Sequence, residues 1–243
     1  MKYITTLFLL ISTLAIAQNQ ILKVKLNAIT YEDAKVNKRK YTIKYQIENT
    51  TKNEVSFFLI PTTLIAHAAS SMTLYPVYKL YRNGVLETMD GPFSETVYPE
   101  LEDFADFEDK KSPEAKAFIE KINKKYSDEF KFIIQNYKQN GGTSTDSQFI
   151  FENNQLLQSK ITLKPNEIKN FEIKTIWDKN RYFKDGVNEF YLDENDKFEF
   201  ELDLILNKSN RNENLSEAEF SKFSKDIYFL EGTYVSNKME IVF

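Results

Sequence analysis

A single histidine, His67, and no cysteine stand among the 243 residues. Sites that need two imidazoles or a thiolate are therefore out of reach, which removes the common zinc, copper and iron centres. A Ser-His-Asp arrangement needs only one histidine, and His67 sits among small residues (Ala66, Ala68, Ala69, Ser70, Ser71) that would let a ligand approach. No Gly-x-Ser-x-Gly turn occurs to present a nucleophile, so a histidine held in a packed loop is the expectation. Two carboxylates can hydrolyse a glycosidic bond without any histidine. Asp and Glu total 36, and the densest group, Glu100, Glu102, Asp103 and Asp106, reads as a solvated acidic loop. Asp193-Glu194-Asn195-Asp196 offers oxygen ligands for calcium but lacks the alternate spacing and central glycine of an EF-hand loop, and reads as a hairpin turn. Gly141-Gly142 ends a predicted helix where a phosphate loop would have to begin one. Trp177, beside Asp178 and Arg181, reads as a core anchor, with a sugar-stacking platform as the alternative. No residue is assigned as catalytic, cofactor-binding or metal-ligating, and no cofactor is expected.

The elements that would position such groups begin after the first 17 residues. Lys2, an apolar run from Ile4 to Ile16 and a small-residue end at Ala15-Ile16-Ala17 have the order of a cleavable signal peptide. The run is shorter than the roughly 20 apolar residues of a membrane anchor. Cleavage after Ala17 removes only the charge of Lys2 and takes the net charge from −4 to −5. The expected mature chain, 18–243, is secreted or periplasmic and has no transmembrane segment. It carries no clustered basic face, so nucleic acid is not an expected partner. Without disulfides its stability must come from apolar burial, which 20 Phe and 14 Tyr can supply. The abundance of Lys, Asn, Ile and Phe suits an AT-rich bacterial genome.

Period-2 alternation predicts strands at Ile21–Ile29 and Tyr41–Ile47, and a more fully buried strand stopped by Pro61 is expected at Val55–Ile60, paired with the second across the Asn49–Asn53 turn. Further strands are expected at Thr73–Tyr81 and, after the Asn83-Gly84 turn, Val85–Thr88. Ser112-Pro113-Glu114 has the residues of a helix start, and apolar positions at three- and four-residue steps run from Ala115 to Tyr137. A break is possible at Ser127-Asp128, and the Phe118, Ile122, Ile133 face is expected to pack on the sheets. Strands are expected again at Gln148–Glu152, Leu156–Leu163, Ile168–Ile176, Phe190–Leu192, Phe198–Leu206 and Lys238–Phe243, with a short helix opening at Ser216.

Two stretches carry a resemblance. Tyr41–Phe57, with its Asn-rich turn, and Ile161–Ile173, with Leu163-Lys164-Pro165-Asn166-Glu167, resemble edges of bacterial extracytoplasmic immunoglobulin-like β-sandwich domains. Asn166 stands where those domains usually carry Gly, and Asn tolerates the left-handed conformation. The resemblance implies a binding or structural role and transfers no catalytic residue. The expected fold is mainly β: an immunoglobulin-like antiparallel sandwich in one domain, 18–243, with a long helical insertion at about 112–140. The expected function is that of an exported, non-catalytic binding or structural protein of the bacterial cell envelope, whose partner is an envelope protein or an extracellular ligand. The alternative is a secreted carboxylate-dependent hydrolase of glycans or peptides.

Overall fold

The computed structural model describes residues 21–67, 74–87, 93, 104, 107–179, 183–185, 188–190, 192, 195–208, 213 and 215–243. The expected signal segment, the acidic residues Glu100, Glu102, Asp103 and Asp106, and also Arg181, Asp193 and Glu194, lie outside these.

Strand outweighs helix. In chain order the elements are β1 (Leu22–Lys35), β2 (Lys38–Asn49), β3 (Val55–Phe58), β4 (Ile65–Ala66), β5 (Val77–Arg82), β6 (Val85–Leu86), α1 (Pro113–Gln139), α2 (Ser147–Gln158), β7 (Lys160–Leu163), β8 (Ile168–Asp178), β9 (Phe183–Asp185), β10 (Asn188–Phe190), β11 (Phe198–Leu206), α3 (Glu217–Lys225), β12 (Gly232–Val235) and β13 (Met239–Ile241). One sheet has the order β1-β2-β8 and another β12-β11-β5-β4, with β13 also on β11 and β6 on β5; β3 with β7 and β9 with β10 form two-stranded sheets. All pairs are antiparallel except β4–β5. Among the described residues, no helix is long and apolar enough to cross a membrane.

The alternation read from the sequence works as a burial code. Tyr41, Ile43, Tyr45 and Ile47 of β2 are all buried and meet Phe200, Leu202 and Leu204 of β11 in one apolar cluster fed by both large sheets. Full burial of each such side chain is worth about 1.5–3 kcal/mol. Phe243 closes one end, edge-on to Trp177 and to Phe198 with centroids 5.0 Å away in each case. Buried hydroxyls find partners: Tyr41 donates to the Val242 carbonyl at 2.7 Å and Tyr45 to the Pro61 carbonyl at 2.8 Å, and burial pushes both phenols above their ordinary pKa. The Asn83-Gly84 turn joins β5 to β6 with both residues at positive φ, and Asn166 is left-handed at φ 57°.

Two expectations are corrected. β2 and β3 are not partners: β2 lies between β1 and β8, while β3 pairs with β7. The Asn49–Asn53 turn moves the chain from one sheet to another, and Asn49, fully buried, fixes the move. Its Nδ2 donates to the carbonyls of Asn53, Leu163 and Lys164 at 2.8, 3.1 and 3.0 Å, and its Oδ1 accepts from the Thr51 backbone N–H and hydroxyl at 3.0 and 2.8 Å. Second, Gln148–Glu152 is helical, as is the first part of Leu156–Leu163; strand begins only at Lys160. Asp146 caps that helix by accepting from the N–H groups of Gln148 and Phe149, and Ile150, Asn153 and Leu156 form its buried stripe. The adjacent apolar residues Phe149-Ile150-Phe151 imitated a strand, and Asn153-Asn154 imitated a turn.

The helix expected from Ser112 is present and unbroken. Ser112 Oγ accepts from the Ala115 N–H at 3.1 Å, Lys124 and Asp128 pair across the expected break, and Gly142 N–H reaches the Tyr137 carbonyl at 3.0 Å in a Schellman-type end with Gly141 at φ 84°. Ile122 and Ile133 are buried and Phe118 is half-buried against Phe107, but the helix packs chiefly on the next helix and not on the sheets as expected. α1 meets α2 through Phe130–Phe151 and Tyr137–Phe149, and α2 carries the contact onward: Leu156 joins Phe58, Phe223, Phe229 and Leu215 in a second apolar cluster.

Candidate functional site

The helical layer leaves space where its side chains are amides. Near the C-terminal end of α1 a concavity of about 290 Å³ is lined by Asn136, Tyr137 and Asn140, by Asn153, Asn154 and Leu157 of α2, by Gly141, Gly142 and Thr143 of the connecting loop, and by Ser216 and Glu219 at the start of α3. Its shape depends on Gly142: a methyl group there would overlap the Tyr137 ring. The Tyr137 hydroxyl in turn accepts from the Ser144 N–H at 3.4 Å.

Among the described residues one carboxylate reaches this space, and it is occupied. Glu219 Oε2 accepts from the Ser216 N–H at 2.8 Å, the Ser216 hydroxyl at 2.6 Å and Asn153 Nδ2 at 3.1 Å, forming the capping box of α3. The space around it is furnished with neutral donors and acceptors. Each side-chain amide offers two N–H groups and one carbonyl. A second concavity of about 390 Å³ lies between α1, α2 and the end of β3, lined by Leu59, Ile60, Pro61, Ile133 and Phe151, with Asn154, Gln155, Gln158 and Ser159 and the single carboxylate of Glu129. Neither space brings two carboxylates together.

The chain matches no protein-family model, no curated protein and no solved structure. The site therefore rests on its own geometry.

The residues singled out in the sequence lie elsewhere. His67 is exposed at the end of β4. Trp177 is buried, 2 % exposed, and serves as the core anchor and not as a stacking platform; the Arg39 guanidinium sits 5.9 Å from its ring and 4.2 Å from that of Tyr31. Arg39 is held by Asp33, Nε to Oδ1 at 2.8 Å, and this hydrogen bond keeps the Asp33 carboxyl below its ordinary pKa. Asp196 accepts from Asn83 Nδ2 at 2.9 Å, tying the 195–197 turn to the β5–β6 hairpin. Among the described residues no three acidic, histidine or cysteine side chains converge as a metal ion would require. Glu201 and Asp203, on the side of β11 away from the main core, bracket Lys79, whose ammonium lies 2.6 Å from Asp203 Oδ2 and 3.7 Å from Glu201 Oε1. Glu201 also accepts from the Tyr81 hydroxyl at 2.9 Å; burial first and this carboxylate second push that phenol up to about 12.

Sequence reading missed the cleft, though a signal was present. Asn136, Asn153 and Asn154 occupy helix interiors, where asparagine is a weak helix former, so something other than helix stability places it there.

Proposed function

We propose that this chain is an exported, non-catalytic binding protein of the bacterial cell envelope, built on an immunoglobulin-like sandwich, and that its ligand seats in the asparagine-lined cleft beside α1. The observation that carries this reading is the chemistry of the lining: neutral amides and hydroxyls surround one carboxylate that is already hydrogen-bonded three times over. Such a surface recognises neutral polar groups by hydrogen bonds and lacks the paired carboxyls of a hydrolase. The meeting of two sheets in one apolar cluster supports the sandwich.

Thermal unfolding of residues 18–243 with chitotriose, maltotriose or a tryptic digest of casein tests it. One of these probes should raise the midpoint for the native chain and not for the Asn136→Ala/Asn154→Ala double variant, since saturation near a hundredfold over Kd is worth about 2.7 kcal/mol. No shift with any probe contradicts the reading. Turnover of a probe that disappears in Glu219→Gln replaces it with the hydrolase.

A further inference from the structure

The two concavities beside α1 adjoin at one side chain. Asn154 lines both. The α1 residues that line them, Glu129, Ile133, Asn136, Tyr137 and Asn140, follow one another at helical steps along one face. Eleven residues of helix separate the first from the last, which is about 16 Å at 1.5 Å per residue. A chain in extended conformation covers that distance with about five residues at 3.3 Å each.

The chemistry changes along that length. At the Asn140 end the lining is mostly amide and hydroxyl; at the Glu129 end Asn154, Gln155 and Gln158 stand beside an apolar floor of Ile60, Pro61, Ile133 and Phe151. Phe151 is 39 % exposed and Glu129 is exposed. A saccharide suits the first end and gains less from the second, where apolar side chains stand beside the amides. A peptide suits both, because its backbone presents the N–H and carbonyl groups that asparagine side chains complement, and its side chains supply apolar volume. Glu129 at the rim of the apolar floor favours a cationic side chain whose methylene stem lies on Ile133 and Phe151.

We propose that the two concavities form one groove, which binds a peptide of about five residues in extended conformation, with its backbone on the asparagines and a Lys or Arg side chain at the Glu129 end. This rests on the cleft being a binding site, as proposed above, and adds the ligand class and its polarity.

A positional-scanning library of acetylated, amidated hexapeptides is passed over immobilised residues 18–243, and the retained peptides are sequenced by mass spectrometry. The native chain should enrich Lys and Arg at one position beside an aliphatic residue. Glu129→Lys, a change on an exposed helix position that leaves the core untouched, should lose these peptides by about tenfold, the effect of trading a rim attraction for a repulsion. The Asn136→Ala/Asn154→Ala variant should lose retention of all of them. Enrichment without any basic preference, or equal retention by Glu129→Lys, overturns the assigned polarity. No retained peptide, with chitotriose or maltotriose still stabilising the native chain, overturns the peptide and leaves the binding reading standing; no response to any probe overturns both.

Discussion

Two buried asparagines show how differently the two halves of this molecule use the same side chain. Asn49, in the sheet half, spends its amide on three carbonyls and two local donors, all within the protein. Asn153, in the helical half, is just as buried but borders open space with Asn154 beside it and Glu219 as a partner. In the first setting a polar group is buried to fix where the chain crosses between sheets. In the second, polar groups line a space that the protein itself does not fill. Burial alone does not separate structure from function; what the amide faces does.

If that contrast holds, damage to the sheet half should cost folding and damage to the helical half should cost recognition. The largest effect is expected from Phe200→Ala, which empties the centre of the main core and should lower unfolding free energy by about 3–5 kcal/mol in chemical denaturation. Asn49→Ala comes next, at about 2–3 kcal/mol, because it leaves buried carbonyls without donors; a loss below about 0.5 kcal/mol would mean the crossing does not depend on it. Removing the α2 cap with Asp146→Ala should cost about 1 kcal/mol. Gly142→Ala should displace the Tyr137 ring and weaken binding of any cleft ligand while moving stability less than the Asn49 change; equal losses in both would break the comparison. The smallest effect concerns Asp33. Its carboxyl is held below the usual range by Arg39, so its contribution is complete above the unfolded-state pKa of about 3.9 and disappears as pH falls through the lower folded value. The melting temperature of the native chain should therefore fall more on acidification below about pH 4 than that of Asp33→Asn, as followed by circular dichroism.

Single elements were legible where their signals are local and redundant. Phe198–Leu206 alternates residue by residue and is β11 to the residue; the Asn83-Gly84 pair dictates a left-handed turn; Ser112-Pro113-Glu114 caps a helix as its chemistry requires. Pairing was not legible, because β2 finds β8 more than a hundred residues along the chain, and nothing in the Asn49–Asn53 turn says that it leaves the sheet. α2 was misread because its apolar residues are adjacent in sequence, and only Phe58 from one distant segment and Phe223 and Phe229 from another make a helical stripe of them. The cleft was invisible for the same reason. Its asparagines stand on two helices and its rim on a third, and each one alone looks like surface.

The most direct test of the account is the side-chain amide region of a two-dimensional nitrogen–proton NMR spectrum of residues 18–243, recorded as hexapeptides retained by the groove are added. The account predicts that the signals of Asn136, Asn140, Asn153 and Asn154 move together while those of Asn49 stay fixed. Movement of Asn49 with the cleft amides unmoved would contradict it.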